Sequence, residues 1–376
     1  LFFQPYDMPI IIDAHQDLAY NMLVHGRDYR RSAAETRSLE AATSVPARTG
    51  HTMLGWQDYQ QGQVAVVFAT LFTTPARYRS GDWETLAYHS PAEAERQLNR
   101  QIECYQRLVD DAPDKFRLIC NRKELDIHLN LWETTPAVYP NCTHPVGLVL
   151  LLEGAEAIDE PRRLEDWYHA GLRLVGPVWA GMRYFGGTRE PGTMKPGAFA
   201  LLAVMADLGM TLDISHMSDV SARQALDAYD GPVIASHANA RALLSEENNE
   251  RSERHLTDDV IRQLVERGGV IGVVPYNRFL RAGWRAGDER SLVTLNALAA
   301  HIDHICQIAG DAHHVGIGSD FDGGFGYPDV PIGLETIADL QKLAPVLAER
   351  GFSSEDIAAI LGGNWRRHLE RTLPET

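Results

Sequence analysis

Short apolar runs in this chain end, repeatedly, on a histidine or a carboxylate. Ile10-Ile11-Ile12 leads into Asp13-Ala14-His15-Gln16-Asp17, and Leu148-Val149-Leu150-Leu151-Leu152 into Glu153. Leu212-Asp213-Ile214-Ser215 ends on His216, Val233-Ile234-Ala235-Ser236 on His237, and Val315-Gly316-Ile317-Gly318-Ser319 on Asp320. A run of this length and apolarity predicts a parallel strand buried on both faces. Polar groups at the ends of so many such strands meet in space only if the strands share one C-terminal rim. That is the active-site rim of an α/β (β/α)8, TIM-like barrel.

Eight strand candidates satisfy this architecture: Pro9–Asp13, Gln63–Leu71, Val146–Leu152, Leu172–Val178, Met210–Ser215, Pro232–Ser236, Val270–Val274 and Val315–Ser319. Helical spacing lies between most of them: Ala92–Asp110, Gly197–Leu208, Ser218–Tyr229, Thr257–Arg267, Asn296–Ala309 and Glu335–Glu349. A last helix from Ser353 to Leu361 is expected to break at Gly362-Gly363-Asn364 before a short terminal one. Asp28–Gln57 and Thr74–Pro91 show no clean period, and together with Met182–Pro196 and Asn277–Arg290 are expected as long loops over the mouth of the barrel. Residues 8–370 are expected as one hydrolase domain, and residues 1–7 as a tag remnant or a native extension.

A formal charge of −16 argues against nucleic acid and against an anionic membrane surface as partners. No apolar stretch is long enough for a membrane anchor. Cys104, Cys120, Cys142 and Cys306 show no C-x-x-C spacing, which suggests free thiols and a cytoplasmic location.

Imidazoles and carboxylates are the ligand types of borderline metals such as zinc. His15 and Asp17, two apart, share one side of their strand, and Asp13 is expected with them at the mouth. Glu153, His216 and His237 arrive from strands three, five and six. Any one of these histidines alone would ordinarily be a hydrogen-bonded structural residue, the reading given to His51, His89, His301, His304, His313 and His314. Together the five groups suffice for two metals. Glu153 is expected to bridge, with His15 and Asp17 on one ion and His216 and His237 on the other. Separation of the two ions is expected at about 3.5–4 Å. Two Zn2+ per chain are expected, with other divalent metals as alternatives.

These motifs resemble those of the membrane (renal) dipeptidase family, zinc peptidases of the amidohydrolase-like barrel class, from about Ile11 to Leu369. Ile12-Asp13-Ala14-His15-Gln16-Asp17 is similar to the family's opening Asp-Gly-His-Asn-Asp, and Glu153-Gly154 to its bridging-glutamate strand end. Leu212-Asp213-Ile214-Ser215-His216 and Ser236-His237 resemble its two later histidine motifs, and Gly318-Ser319-Asp320-Phe321-Asp322-Gly323 its catalytic-aspartate loop. Arg254, ahead of His255-Leu256-Thr257-Asp258-Asp259-Val260, matches the family's substrate-carboxylate arginine, and Tyr276 its active-site tyrosine. One position departs from the pattern. Trp179 stands where the family carries a histidine at the end of strand four, and an indole offers only one N–H donor. Arg173, Arg183, Tyr184 or Arg189 could replace that donor.

The resemblance implies hydrolysis of a dipeptide amide by a hydroxide bridging two zincs. Asp320 would shuttle the proton as the catalytic acid–base. Arg254, Tyr276 and Trp179 would line the substrate site, the arginine forking onto the terminal carboxylate. The partner is then a small peptide-like molecule, and a homo-oligomer is compatible with the sequence. Two other readings stand beside this one: hydrolysis of N-acyl amino acids, lactones or other small substrates on the same metals, and a non-hydrolytic family member.

Overall fold

The structure is a computed structural model that describes residues 8–135, 140–180, 183–244 and 252–376. Residues 1–7, and Met182 at the start of one expected loop, lie outside the described residues. The eight expected strands all form: β1 (Ile11–Gln16), β2 (Val64–Phe72), β3 (Val146–Glu153), β4 (Leu172–Gly176), β5 (Thr211–Asp213), β6 (Val233–Ile234), β7 (Ile271–Val273) and β8 (Val315–Ile317). Consecutive strands pair in parallel from β1 to β6 and from β7 to β8, and β8 pairs with β1. The remaining gap, β6 to β7, is closed by a parallel bridge between Ala235 and Ile271, with Ala235 N–H donating to Val270 O at 3.0 Å and Gly272 N–H to Ala235 O at 2.8 Å. The result is a closed (β/α)8 barrel.

Alternation along the strands sorts the core into two layers. Ile12, Ala14, Val66, Phe68, Val149, Leu151, Leu174 and Ile234 fill the barrel, which Trp132 and Trp365 help to floor. Ile11, Val67, Leu148, Leu150, Leu152 and Val175 face the surrounding helices. On β3 the inward parity of Val149 and Leu151 carries on to Glu153, so the carboxylate emerges inside the rim.

β1 departs from simple alternation. Its register against β2 shifts between Asp13 and Gln16. Ile12 and Ala14 point inward, yet His15 and Asp17 also reach the mouth, because the irregularity inserts a residue and flips the parity. Asp13 therefore does not face the mouth as expected. It is fully buried and accepts hydrogen bonds from Ser319 N (2.6 Å), Ser319 Oγ (2.5 Å) and Gln16 Nε2 (2.6 Å), which clamps β1 to the end of β8.

The helices follow the expected ranges closely, among them Pro91–Asp111, Pro196–Asp207, Asp219–Ala228, Asp258–Glu266 and Leu295–Ala309. Several expectations differ, among them these. Glu335–Glu349 begins as a 3-10 turn, Ile337–Lys342, and becomes α-helical only at Leu343. The chain does not break at Gly362-Gly363. It passes through one π-turn, Ala359–Gly363, into the helix Asn364–Thr372. A Cβ at Gly362 would stand 2.4 Å from Ile10 O, so glycine lets this turn press against the start of β1. An additional strand of the barrel sheet, Phe116–Leu118, pairs with β3 and leads into a helix, Arg122–Thr134. The aperiodic stretch Asp28–Gln57 carries three short helices, Ala33–Glu40, Val45–Thr49 and Trp56–Gln61.

Candidate metal centre

Two glycines prepare the rim. A Cβ at Gly272 or at Gly318 would lie 1.9 Å from Ser236 O, so only glycines at these positions let the end of β6 fold inward over the barrel. That turn delivers His237 to the axis. His216 and Asp320, at two other strand ends, have φ of +65° and +54°, values that L-residues seldom adopt. Strained backbone of this kind persists where the surroundings over-determine it, commonly at functional sites.

The structure brings together all six expected polar groups of the centre. Glu153 Oε1 lies 2.9 Å from His216 Nε2 and 3.5 Å from His237 Nε2, and Glu153 Oε2 lies 3.7 Å from His15 Nε2. Asp320 Oδ1 is 3.9 Å from His15 Nε2. Three overlapping sets have ligand atoms within 4.8 Å of one another: His15, Asp17 and Glu153; Glu153, His216 and His237; His15, His237 and Asp320. Glu153 belongs to two of them.

The donor chemistry fits a cation. His15 Nε2 is buried without a hydrogen-bond partner, and His216 Nε2 and His237 Nε2 face one another at 2.9 Å. With Glu153 between them, the two imidazoles form a set of ligand atoms close enough together to hold one cation. The tautomer of His237 follows from its neighbours. Ser236 Oγ donates its single hydrogen to Asp213 Oδ2, because a carboxylate only accepts. Ser236 Oγ must then accept from His237 Nδ1–H, 2.8 Å away. This leaves the Nε2 lone pair aimed into the centre. Asp213 is itself held by the N–H groups of Ser215 (3.0 Å) and Ser236 (2.9 Å).

The protein groups also set each other's charge. Burial opposes a charge on His15, but Glu153, Asp17 and Asp320 overcome it and raise the imidazole to about 10. Burial and Arg254 depress His216 to about 4, and burial with the charge of His15 puts His237 well below the ordinary range. Despite its burial, Glu153 is held well below the usual carboxylate range by His15 and His216. Burial raises Asp17 to about 6 and Asp320 well above the usual range. Asp17 Oδ1 also accepts from Thr70 Oγ1 on β2.

The centre opens into a cavity of about 670 Å³, lined by Trp179, Arg189, Arg254, Tyr276, Phe279 and Phe325 among others. Tyr276 stacks on Phe325 at 4.1 Å, and the Arg254 guanidinium lies 5.2 Å over the Phe279 ring. The indole of Trp179 packs edge-on to Phe72 at 5.1 Å, and its ring is 6.4 Å from that of His216. Of the four substitute donors considered, only Arg189 lines the cavity. Arg173 is turned to the carbonyls of Cys120, Tyr168 and Leu172, and Tyr184 OH donates to Ile158 O.

Several supporting residues escaped sequence reasoning. Asp322 is the clearest. It accepts from Tyr29 OH (2.9 Å), Thr52 Oγ1 (2.5 Å) and Met53 N (2.8 Å), and pairs with Arg27 Nη1 at 3.0 Å. It thus pins the long segment after β1 to the Asp320 loop. Its φ of +66° exists only in the folded chain, so the sequence carried no signal for it. Asp213 and Ser236 stood inside quoted motifs, but their roles appear only once β5 and β6 are adjacent.

The sequence profile of the membrane dipeptidase family, peptidase family M19, matches residues 6–373. The chain belongs to this family. An uncharacterized dipeptidase of Schizosaccharomyces pombe is 30% identical over 374 residues, covering 96% of this chain and 80% of that protein. An uncharacterized Klebsiella pneumoniae protein from the pqqA 5′ region is 34% identical over 236 residues, 60% of this chain and 82% of its own length. Among solved structures, a Rhodobacter sphaeroides metallopeptidase liganded with a phosphinate mimic of L-Ala-D-Ala has the same fold. Its TM-score is 0.76 at 22% identity, over 97% of this chain and 99% of that one. Membership of M19 makes this barrel that of a metallopeptidase family and agrees with the donor chemistry of its rim.

Proposed function

We propose that this M19 protein hydrolyses dipeptides at a centre holding two zinc ions. The observation that carries the proposal is the position of Glu153, whose two oxygens face His216 and His237 on one side and His15 on the other. Glu153 would bridge, His15 and Asp17 would complete one site, and His216 and His237 the other. When bound, such a pair supplies an acidified water and an electrophilic contact for the scissile carbonyl.

The chain's own residues do the rest. Asp320, whose Oδ1 lies 3.9 Å from His15 Nε2 at the rim, takes the proton of the attacking water and returns it to the leaving nitrogen. Arg254 grips the terminal carboxylate bidentately and fixes which amide reaches the centre. Tyr276, braced by Phe325, and Trp179, braced by Phe72, wall the substrate and limit water. The indole at Trp179 keeps N-acyl amino acids and lactones as a second reading, because it cannot exchange a proton with an oxyanion. The four free thiols support the cytoplasm as the location.

The test is a panel of dipeptides, N-acyl amino acids and lactones with zinc-loaded protein. Dipeptide turnover that falls by about 10²–10⁴ in Asp320→Asn, with metal content retained, is the expected result. Turnover of lactones alone would overturn it.

A further inference from the structure

The wall of the cavity opposite Arg254 carries its own cation. Arg254 and Tyr276 follow β6 and β7, whereas Trp179 follows β4 and Tyr78 follows β2, on the other side of the barrel. Arg189, in the loop after β4, lays its guanidinium 4.9 Å over the Trp179 ring and 5.0 Å over the Tyr78 ring. Two aromatic faces fix the plane of an exposed side chain that would otherwise sample many rotamers, and leave its N–H edge open. A second pair of the same kind, Arg48 at 5.3 Å over Trp83, lines the same side of the cavity.

The acidic groups nearby are otherwise engaged. Glu190 accepts from Arg77 Nε (2.6 Å) and Tyr78 OH (2.8 Å). Glu84 accepts from Ser80 N at 2.9 Å, and burial raises its pKa even though Arg79 and Arg189 act to lower it. Asp17, Glu153 and Asp320 belong to the metal centre. His25, beside Trp83, is depressed to about 4 by burial and by Arg27 and Arg48, and so adds no positive charge near neutrality. Arg189 and Arg48 are thus cations on this wall of the cavity in a chain of net charge −16.

We propose that Arg189, seated on Trp179 and Tyr78, selects dipeptides whose N-terminal residue carries a side-chain carboxylate. The inference rests on the dipeptidase reading of the centre. With the C-terminal carboxylate held at Arg254, a dipeptide spanning the centre places its first residue against the Trp179 wall. A glutamyl or aspartyl side chain there reaches a planar, oriented guanidinium, for which carboxylate is the matching partner.

The experiment compares Glu-Ala with Gln-Ala, and Asp-Ala with Asn-Ala, as kcat/KM ratios in the zinc-loaded wild type and in Arg189→Gln. Calorimetric binding of the corresponding non-hydrolysable phosphinate analogues runs in parallel. The wild type should favour the acidic member by about tenfold or more, and Arg189→Gln should bring the ratio close to one, in turnover and in binding. Arg189→Lys should recover part of the preference. A wild-type ratio near one, or a preference that survives Arg189→Gln, would overturn the proposal. Absence of turnover on every dipeptide, Ala-Ala included, would instead defeat the dipeptidase reading, and the binding ratios would still decide the role of Arg189.

Discussion

Asp213→Asn tests the positioning of His237 from a distance. Asp213 is buried and accepts three hydrogen bonds, two from backbone N–H groups and one from Ser236 Oγ. An asparagine keeps one oxygen for the backbone donors but turns an NH2 toward Ser236. The hydroxyl must then accept from the introduced amide, which frees its hydrogen to point at His237 Nδ1. That favours the other imidazole tautomer, with the proton on Nε2, where the ligand lone pair should be. Loss of such an outer partner costs about 10–100-fold in metal affinity, or roughly 1.4–2.8 kcal/mol. Competition against a chelator of known zinc affinity measures it, and 15N shifts of labelled imidazole report the tautomer. The larger loss should fall on the ion held by His237, whose Nδ1 is 2.8 Å from Ser236 Oγ, and the smaller on the one held by His15, whose Nδ1 is 3.4 Å away. Zinc affinities within about twofold of wild type, or an unchanged tautomer, would refute the reasoning.

Arg254→Ala should raise KM for free dipeptides by roughly 10–100-fold, from about 1.5–3 kcal/mol for a charge-assisted contact, and should affect a C-terminally amidated substrate little. Equal losses on both would exclude a carboxylate-binding role. Acid stability offers a separate test. Burial depresses His128 and His301 to about 4 and His368 to about 3, so the fold holds all three neutral while the unfolded chain takes up protons below pH 6.5. Their contribution is complete above pH 6.5 and is lost as pH falls toward 4, at about 1.4 kcal/mol per pH unit for each histidine. Nε2–H of His128 bonds Ala65 O at 2.8 Å, a donor that glutamine can replace. His128→Gln should therefore flatten the fall in the urea midpoint between pH 6.5 and pH 4. An unchanged slope would count against a neutral buried His128.

The centre was legible in the sequence because buried parallel strands are unbroken apolar runs, and a polar residue that ends one is conspicuous. Glu153 after five consecutive apolar residues is the plainest case. Asp13 misled, since a shift of register between Asp13 and Gln16 reverses which side chains face inward, and alternation alone cannot locate such a shift. Phe116–Leu118 is too short for its pattern to stand out, and its pairing with β3 is a tertiary fact. Arg27, Asp322 and Asp213 act through partners distant in the chain, the first two lying 295 positions apart, and no local pattern announces such contacts. The π-turn at Ala359–Gly363 follows from the approach of Gly362 to Ile10, which a helical period does not encode.

The central claim is a shared carboxylate between two ions. Elemental analysis of the reconstituted protein, wild type beside Glu153→Gln, tests it most directly. About two zinc ions per wild-type chain are expected, with a loss from both sites in Glu153→Gln, because a bridging charge serves both. Less than one ion per wild-type chain, or a variant that keeps both ions, would contradict it.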